Sequence, residues 1–214
     1  MALSVAVAGE PTIGRMTIPT RTEAAKILMD LDPPEWLIAH SAAVADVAAF
    51  LADAIDKRGH AINPGLVEAA ALLHDVGKAL PRDNAFKAMG HSDAGAHFLS
   101  DMGHGELADA VAGHPVTKLG DDELYAVWSR SATAEERVVA YADKRAKSDL
   151  VPMQDRFGYW IEKHGDTEMM RVAFERAELL EKDVCAAAGL APADVQRLRW
   201  ADAALQEAAQ EEQD

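Results

Sequence analysis

Residues 63–81 read Asn-Pro-Gly-Leu-Val-Glu-Ala-Ala-Ala-Leu-Leu-His-Asp-Val-Gly-Lys-Ala-Leu-Pro. Asn63 supplies an N-cap and Pro64 a first-turn proline, and Pro81 stops the run. Between them Val67, Ala70, Ala71 and His74 recur at three- and four-residue spacing, so the stretch predicts one helix whose buried stripe ends in a histidine. Asp75 sits directly beside that histidine. A carboxylate buried there without a partner would be costly, so this face needs a cation.

The same pattern recurs away from this stretch. On the helix after Pro33-Pro34, His40 continues through Ala43, Val44, Val47, Ala48 and Leu51, and His114 continues Leu107, Ala110 and Val111. Asp143 follows Val139 and Ala140 in the same way. One histidine on an apolar face is ordinarily a core residue hydrogen-bonded to a carbonyl. Four helices that each place a metal-competent side chain on the buried stripe are better served by divalent metal. Imidazoles with carboxylates suit manganese, iron, cobalt, zinc or nickel, and the single cysteine, Cys185, excludes a thiolate cluster and an internal disulfide.

Composition bounds the rest. The chain has 214 residues with 21 basic and 36 acidic side chains, a net charge of −15, which argues against a generic nucleic-acid or anionic-membrane binder. Hydrophobic residues at 49% and charged residues at 27% fit one folded domain with an appended element. The apolar run at residues 2–8 lacks a basic flank, and no stretch is expected to approach the roughly 18 apolar residues of a bilayer span. A soluble protein in the reducing cytoplasm is expected.

Periodicity predicts an all-α fold. Helices are expected at Thr22–Asp30, Glu35–Arg58 and from Pro64 to Pro81, with others starting near 92, 122 and 134 behind Ser92-Asp93, Asp121-Asp122 and the capping box of Thr133 and Glu136. Two more are expected at about 168–187 and 192–210, fraying into an acidic tail. The chain thus divides into a flexible tail at 1–20, a metal-binding domain at 21–165 and a helical extension at 166–214. Trp36, Trp128, Trp160 and Trp200 are expected to pack in the core or an interface, Cys185 to be a small buried hydrophobe, and His60 and His164 to lie on the surface.

The ordered set His40, His74-Asp75 in Leu-Leu-His-Asp-Val-Gly-Lys, His91 in His-Ser-Asp-Ala-Gly-Ala-His, His114 in Ala-Gly-His-Pro and Asp143 in Tyr-Ala-Asp-Lys-Arg resembles the HD superfamily of metal-dependent phosphohydrolases, in its HDIG-type, two-metal branch. The resemblance covers roughly residues 35–165. It implies an HD-domain helical bundle in which His40, His74, Asp75 and Asp143 hold one metal, and Asp75 bridges to a second held by His91 and His114. It also implies a hydroxide bridging the metals that attacks phosphorus. Lys78 rises from the same face as His74 and Asp75, toward the substrate; Arg82, on the loop after Pro81, and Arg145, after Asp143 and Lys144, are further candidate phosphate contacts.

The expected activity is therefore hydrolysis of a small phosphate ester or anhydride, a nucleotide or dinucleoside polyphosphate, with two divalent metals such as manganese, iron, cobalt or nickel. The arrangement resembles bacterial diadenosine-tetraphosphate hydrolases, although His114 is followed by Pro115-Val116-Thr117 where those continue with threonines and glycine. Gly158-Tyr159-Trp160 lacks the Gly-Tyr-Pro element of the cyclic-dinucleotide phosphodiesterases. The alternatives are a di-iron oxygenase, which uses the same ligand order, and a non-catalytic nucleotide-binding protein. No nucleic-acid or membrane partner is expected, and the last two helices either build a homodimer or cover the core.

Overall fold

The amphipathic pattern around His40 becomes the long helix α2, Glu35–Lys57, and the rest of the chain packs around it. The structure, a computed structural model, describes residues 18–195. All but the last three residues of the expected tail at 1–20, Trp200 and most of the last expected helix lie outside those residues.

Helix α1, Arg21–Met29, is started by a capping box in which Thr20 and Glu23 satisfy each other's backbone N–H groups. Helix α3, Pro64–Leu73, is capped by Asn63. The chain continues through α4, Val76–Ala79; α5, His91–Asp101; a 3-10 turn at Gly105–Leu107; α6, Ala108–Gly113; and α7, Val116–Gly120. Helices α8, Asp122–Ser131, and α9, Ala134–Asp143, begin at the expected Asp121 cap and Thr133–Glu136 box. Next come α10, Met153–His164; α11, Glu168–Ala188; and α12, Pro192–Val195. Among the described residues there is no strand, only an isolated bridge between Ala146 and Leu150. The fold is all-α, as expected.

Helices α2, α3 and α9 form the centre, through Val44, Val47, Ala48, Leu51, Val67, Ala70, Val139 and Ala142. By length and composition α2 could cross a membrane, a correction to the expectation that no stretch is that apolar. Its apolar residues instead form the middle of this packed core, the other place where such a helix is stable. Beyond Gly165, α11 lays Met170, Ala173, Ala177, Leu180 and Val184 into the same core, against α2, α7 and α9. Cys185 is buried there beside the Tyr141 hydroxyl.

Two helix boundaries differ from expectation. The helix expected to run from Pro64 to Pro81 breaks at His74-Asp75: Asp75 has φ −102° and ψ 12°, and the His74 N–H reaches back only to Ala71, at 3.5 Å. The reason is tertiary. Residue 77 is glycine where α4 crosses α5, and a Cβ there would lie 1.9 Å from the His91 carbonyl oxygen and 2.9 Å from the Gly95 nitrogen. The short α4 is turned to make that crossing. Helix α5 starts one residue early, with His91 its first residue behind Gly90; the expected caps Ser92 and Asp93 fall in its first turn, Ser92 buried.

Candidate metal centre

His40 comes from α2, His74 and Asp75 from the break after α3, His91 from the start of α5, His114 from the end of α6 and Asp143 from the end of α9. Residues spread over about a hundred positions thus converge at one point. His74, Asp75 and His114 are almost completely buried, His40 and Asp143 nearly so, and His91 is partly open to the cleft above.

The backbone sets the imidazole tautomers. His40 Nδ1 lies 2.8 Å from the Lys147 carbonyl, His74 Nδ1 2.7 Å from that of Ala71 and His114 Nδ1 2.6 Å from that of Val111. A carbonyl only accepts, so each Nδ1 carries the proton and each Nε2 presents a lone pair. His40 Nε2 and His74 Nε2 then face each other at 3.2 Å with no proton between them. His91 and His114 bring their Nε2 atoms to 3.3 Å on the other side.

Asp75 lies between the two pairs. Its Oδ2 is 3.6 Å from His40 Nε2 and 3.4 Å from His74 Nε2, and its Oδ1 is 3.3 Å from His91 Nε2 and 3.5 Å from His114 Nε2. Asp143 Oδ1 closes the first group, 3.3 Å from His40 Nε2. Asp75 Oδ1 is buried and has no hydrogen-bond partner. A divalent transition metal with ligand bonds of about 2.1 Å spaces adjacent ligands by roughly 3.0–3.4 Å, close to the separations seen here. Converging lone pairs, an orphaned carboxylate oxygen and these separations all fit two cations that share Asp75.

Charge states agree with that fit. Burial pushes the His91 imidazole down to about 4 against the opposing pull of Asp75, and burial likewise lowers His114, so both are neutral at pH 7, the form that could hold a metal. Burial works to raise Asp75 and Asp143. Both nevertheless lie well below the usual carboxylate range, Asp143 because the Lys144 ammonium and the Arg156 guanidinium bind it.

Two cations brace Asp143. Lys144, fully buried, donates to Asp143 Oδ2 at 2.8 Å and also to the His114 carbonyl, which ties together the two helix ends that bring Asp143 and His114 to the site. Arg156 of α10 donates to Asp143 Oδ1 at 3.1 Å and to its carbonyl at 3.2 Å. Sequence reading missed Arg156. The signal was present: Met153, Arg156, Phe157 and Trp160 share one face of α10, and an arginine on an apolar stripe needs an acid.

A cleft of about 900 Å³ opens above the centre. Lys78 stands in its wall, with its ammonium on Asp75 Oδ2 and 5.9 Å from the Trp36 ring centroid. Trp160 packs against the core as expected and also lines the cleft; Trp36 lines it too but is 56% exposed, a correction to its expected role in packing. His164 is exposed, as expected, but stands at the cleft edge. His97 stacks on Phe86 away from the centre.

Two expected substrate contacts are corrected. Arg82 is exposed in the turn after Pro81 and does not line the cleft. Arg145 points into the core. Its Nη1 donates to the Tyr141 hydroxyl at 2.6 Å and to Glu181 of α11 at 2.8 Å, and its Nε donates to the Val151 carbonyl. The C-cap geometry after Asp143 sends successive side chains in different directions, so Lys144 faces the centre and Arg145 faces α11. Glu181→Ala would leave the Arg145 charge buried without its acid, and is expected to cost about 3 kcal/mol in denaturant unfolding while metal content stays at the wild-type level.

Fold and site together define an all-helical protein with a His/Asp centre suited to metal. The HD domain family model matches residues 37–148, just over half of the chain, and the chain belongs to the HD domain family. All six converging residues lie in that segment, and the family's general chemistry is metal-dependent hydrolysis. An uncharacterized protein of Methanocaldococcus jannaschii is 32% identical over 115 residues, which is 51% of this chain and 65% of that protein, a little under two thirds of its length. No solved structure gives a significant match to the chain.

Proposed function

We propose that the protein is a dinuclear metal-dependent phosphohydrolase that cleaves a small phosphate ester or anhydride, a nucleotide or dinucleoside polyphosphate, in a reducing cytoplasm. The observation that carries this reading is the division of Asp75, one oxygen toward His40 and His74 and the other toward His91 and His114. His40, His74, Asp75 and Asp143 would hold one divalent cation, and Asp75, His91 and His114 the other. When bound, such cations supply Lewis acidity toward water and toward the phosphoryl oxygens.

The protein's own groups do the rest. Buried carbonyls hold three imidazoles in one tautomer, so their Nε2 atoms need no reorganisation. Lys144 and Arg156 keep Asp143 ionised and in place. Lys78, 35% exposed at the cleft wall, can exchange its contact with Asp75 for one with a phosphoryl oxygen as substrate enters. The exposed face of Trp36 beside it suits stacking of a nucleobase, which supports a nucleotide over a simple sugar phosphate.

Elemental analysis of untagged protein purified without chelator and shielded from air tests the centre first. Two metals per chain are expected; one or none after reconstitution would overturn the dinuclear reading. Phosphate release and oxygen uptake, measured in parallel on the loaded protein, distinguish hydrolysis from the oxygenase chemistry of the same superfamily. Lys78→Ala is expected to keep both metals and raise KM for a nucleotide about 10-fold, a loss near 1.4 kcal/mol. An unchanged KM would remove Lys78 from substrate binding.

A further inference from the structure

The cleft carries more positive charge than the candidate metal centre uses. Of the cations lining the cleft, Lys78 is paired with Asp75 and Arg156 with Asp143. Lys118, Lys147 and Lys163 also line it, with no carboxylate of the described residues in salt-bridge range, and so does His164. Apart from Asp75 and Asp143, the acid lining the cleft is Asp93, on α5 beside His91. In a chain of net charge −15, three such lysines lining one cleft call for a ligand.

The arrangement is built rather than incidental. The Tyr159 ring has the Lys147 ammonium 4.7 Å and the Lys163 ammonium 5.9 Å from its centroid, so one ring draws both charges toward it. Lys147 is also in register with the centre: its carbonyl accepts from His40 Nδ1, and its N–H is bound to the Asp149 carbonyl in the turn closed by Ala146 and Leu150. Tyr159 is 39% exposed, which leaves this edge open to a bound molecule.

We infer that Lys147, Lys163 and Tyr159, flanked by Lys118 and His164, form a second anion subsite that holds a phosphoryl group distal to the one at the metal centre. The substrate therefore carries two or more phosphoryl groups. This rests on the phosphohydrolase reading for the identity of the first group, but the lysines bind an anion whether or not the centre turns over. A single phosphate at the centre leaves the edge unsatisfied; a chain of phosphates satisfies both.

The test is equilibrium binding of inorganic tripolyphosphate and of orthophosphate to the metal-loaded full chain, with the metal content of the recovered protein measured alongside. The variant is Lys147→Met with Lys163→Met, which leaves the Lys147 carbonyl on His40 untouched. Lys26→Met with Lys182→Met, two exposed lysines outside the cleft, removes the same charge elsewhere. Tripolyphosphate is expected to bind the unaltered protein at least about 10-fold more tightly than orthophosphate, with the preference weakening as salt is added. In the cleft variant the preference is expected to fall to about 2-fold or less, with metal content retained and the control variant unchanged. A preference that survives in the cleft variant, or that falls as far in the control, overturns the subsite. Protein that binds tripolyphosphate in this way yet releases phosphate from no ester or anhydride overturns the hydrolase reading and leaves the subsite standing.

Discussion

Asp75→Ala is expected to leave the protein without either metal. Its two oxygens face two different imidazole pairs, so one substitution removes a ligand from both halves of the centre at once. Loss of His91 or His114, by contrast, touches one half. Substitution of groups that merely support a metal ligand costs about 10–100-fold, so removal of the shared ligand should lower phosphate release by more than about 100-fold. The fold should survive, because Lys78, the partner set free, is one-third exposed and can turn to water. Elemental analysis and far-UV circular dichroism on the same sample check both halves of the expectation. Normal metal content in folded Asp75→Ala protein would contradict the sharing of this carboxylate.

Gly77→Ala has the largest expected effect on stability. The added methyl would sit 1.9 Å from the His91 carbonyl oxygen and 2.9 Å from the Gly95 nitrogen, both backbone atoms that no rotamer change can move aside. Helices α4 and α5 must separate. Overpacking of this kind costs about 3 kcal/mol or more, which at this chain length lowers Tm by roughly 6–12 °C. Because His91 begins α5, the separation should also weaken the half of the centre that His91 serves, while His40, His74 and Asp143 stay together. Gly158→Ala is the control: it lies inside α10 with nothing within 4 Å of the new Cβ, and alanine there should add about 0.5–1 kcal/mol. Equal melting temperatures for Gly77→Ala and the unaltered protein would contradict the close crossing of α4 and α5.

Much of the fold was legible because helical periodicity is local. The caps at Thr133 and Asp121 and the proline start at Pro64 are short-range hydrogen-bond and dihedral effects, and the structure shows helices at each. Less legible was α10, where Pro152 opens a helix whose polar face carries Tyr159 and Lys163 and whose apolar face carries an arginine. Its importance comes from packing over Asp143, which no local pattern states. Arg145 and Arg82 show the same limit, since a cation near a motif is read the same way whether it turns into the cleft, into the core or into water.

The sequence by itself determined that the protein is helical, that His40, His74, Asp75, His114 and Asp143 lie on buried faces, and that their order is that of an HD domain. The first two follow from spacing along single helices and from the cost of burying unpaired charge; the third rests on the resemblance of the motifs to that family. Tertiary structure alone decided that the helix breaks at His74-Asp75, that Asp75 divides its oxygens between two imidazole pairs, that Arg145 pairs with Glu181, and that Lys147 joins Lys163 in reaching the Tyr159 ring in the cleft. Each depends on how separate helices cross. A backbone contact such as that of Gly77 with His91 sets that crossing, and it joins residues that are distant in the chain or lie on different helices.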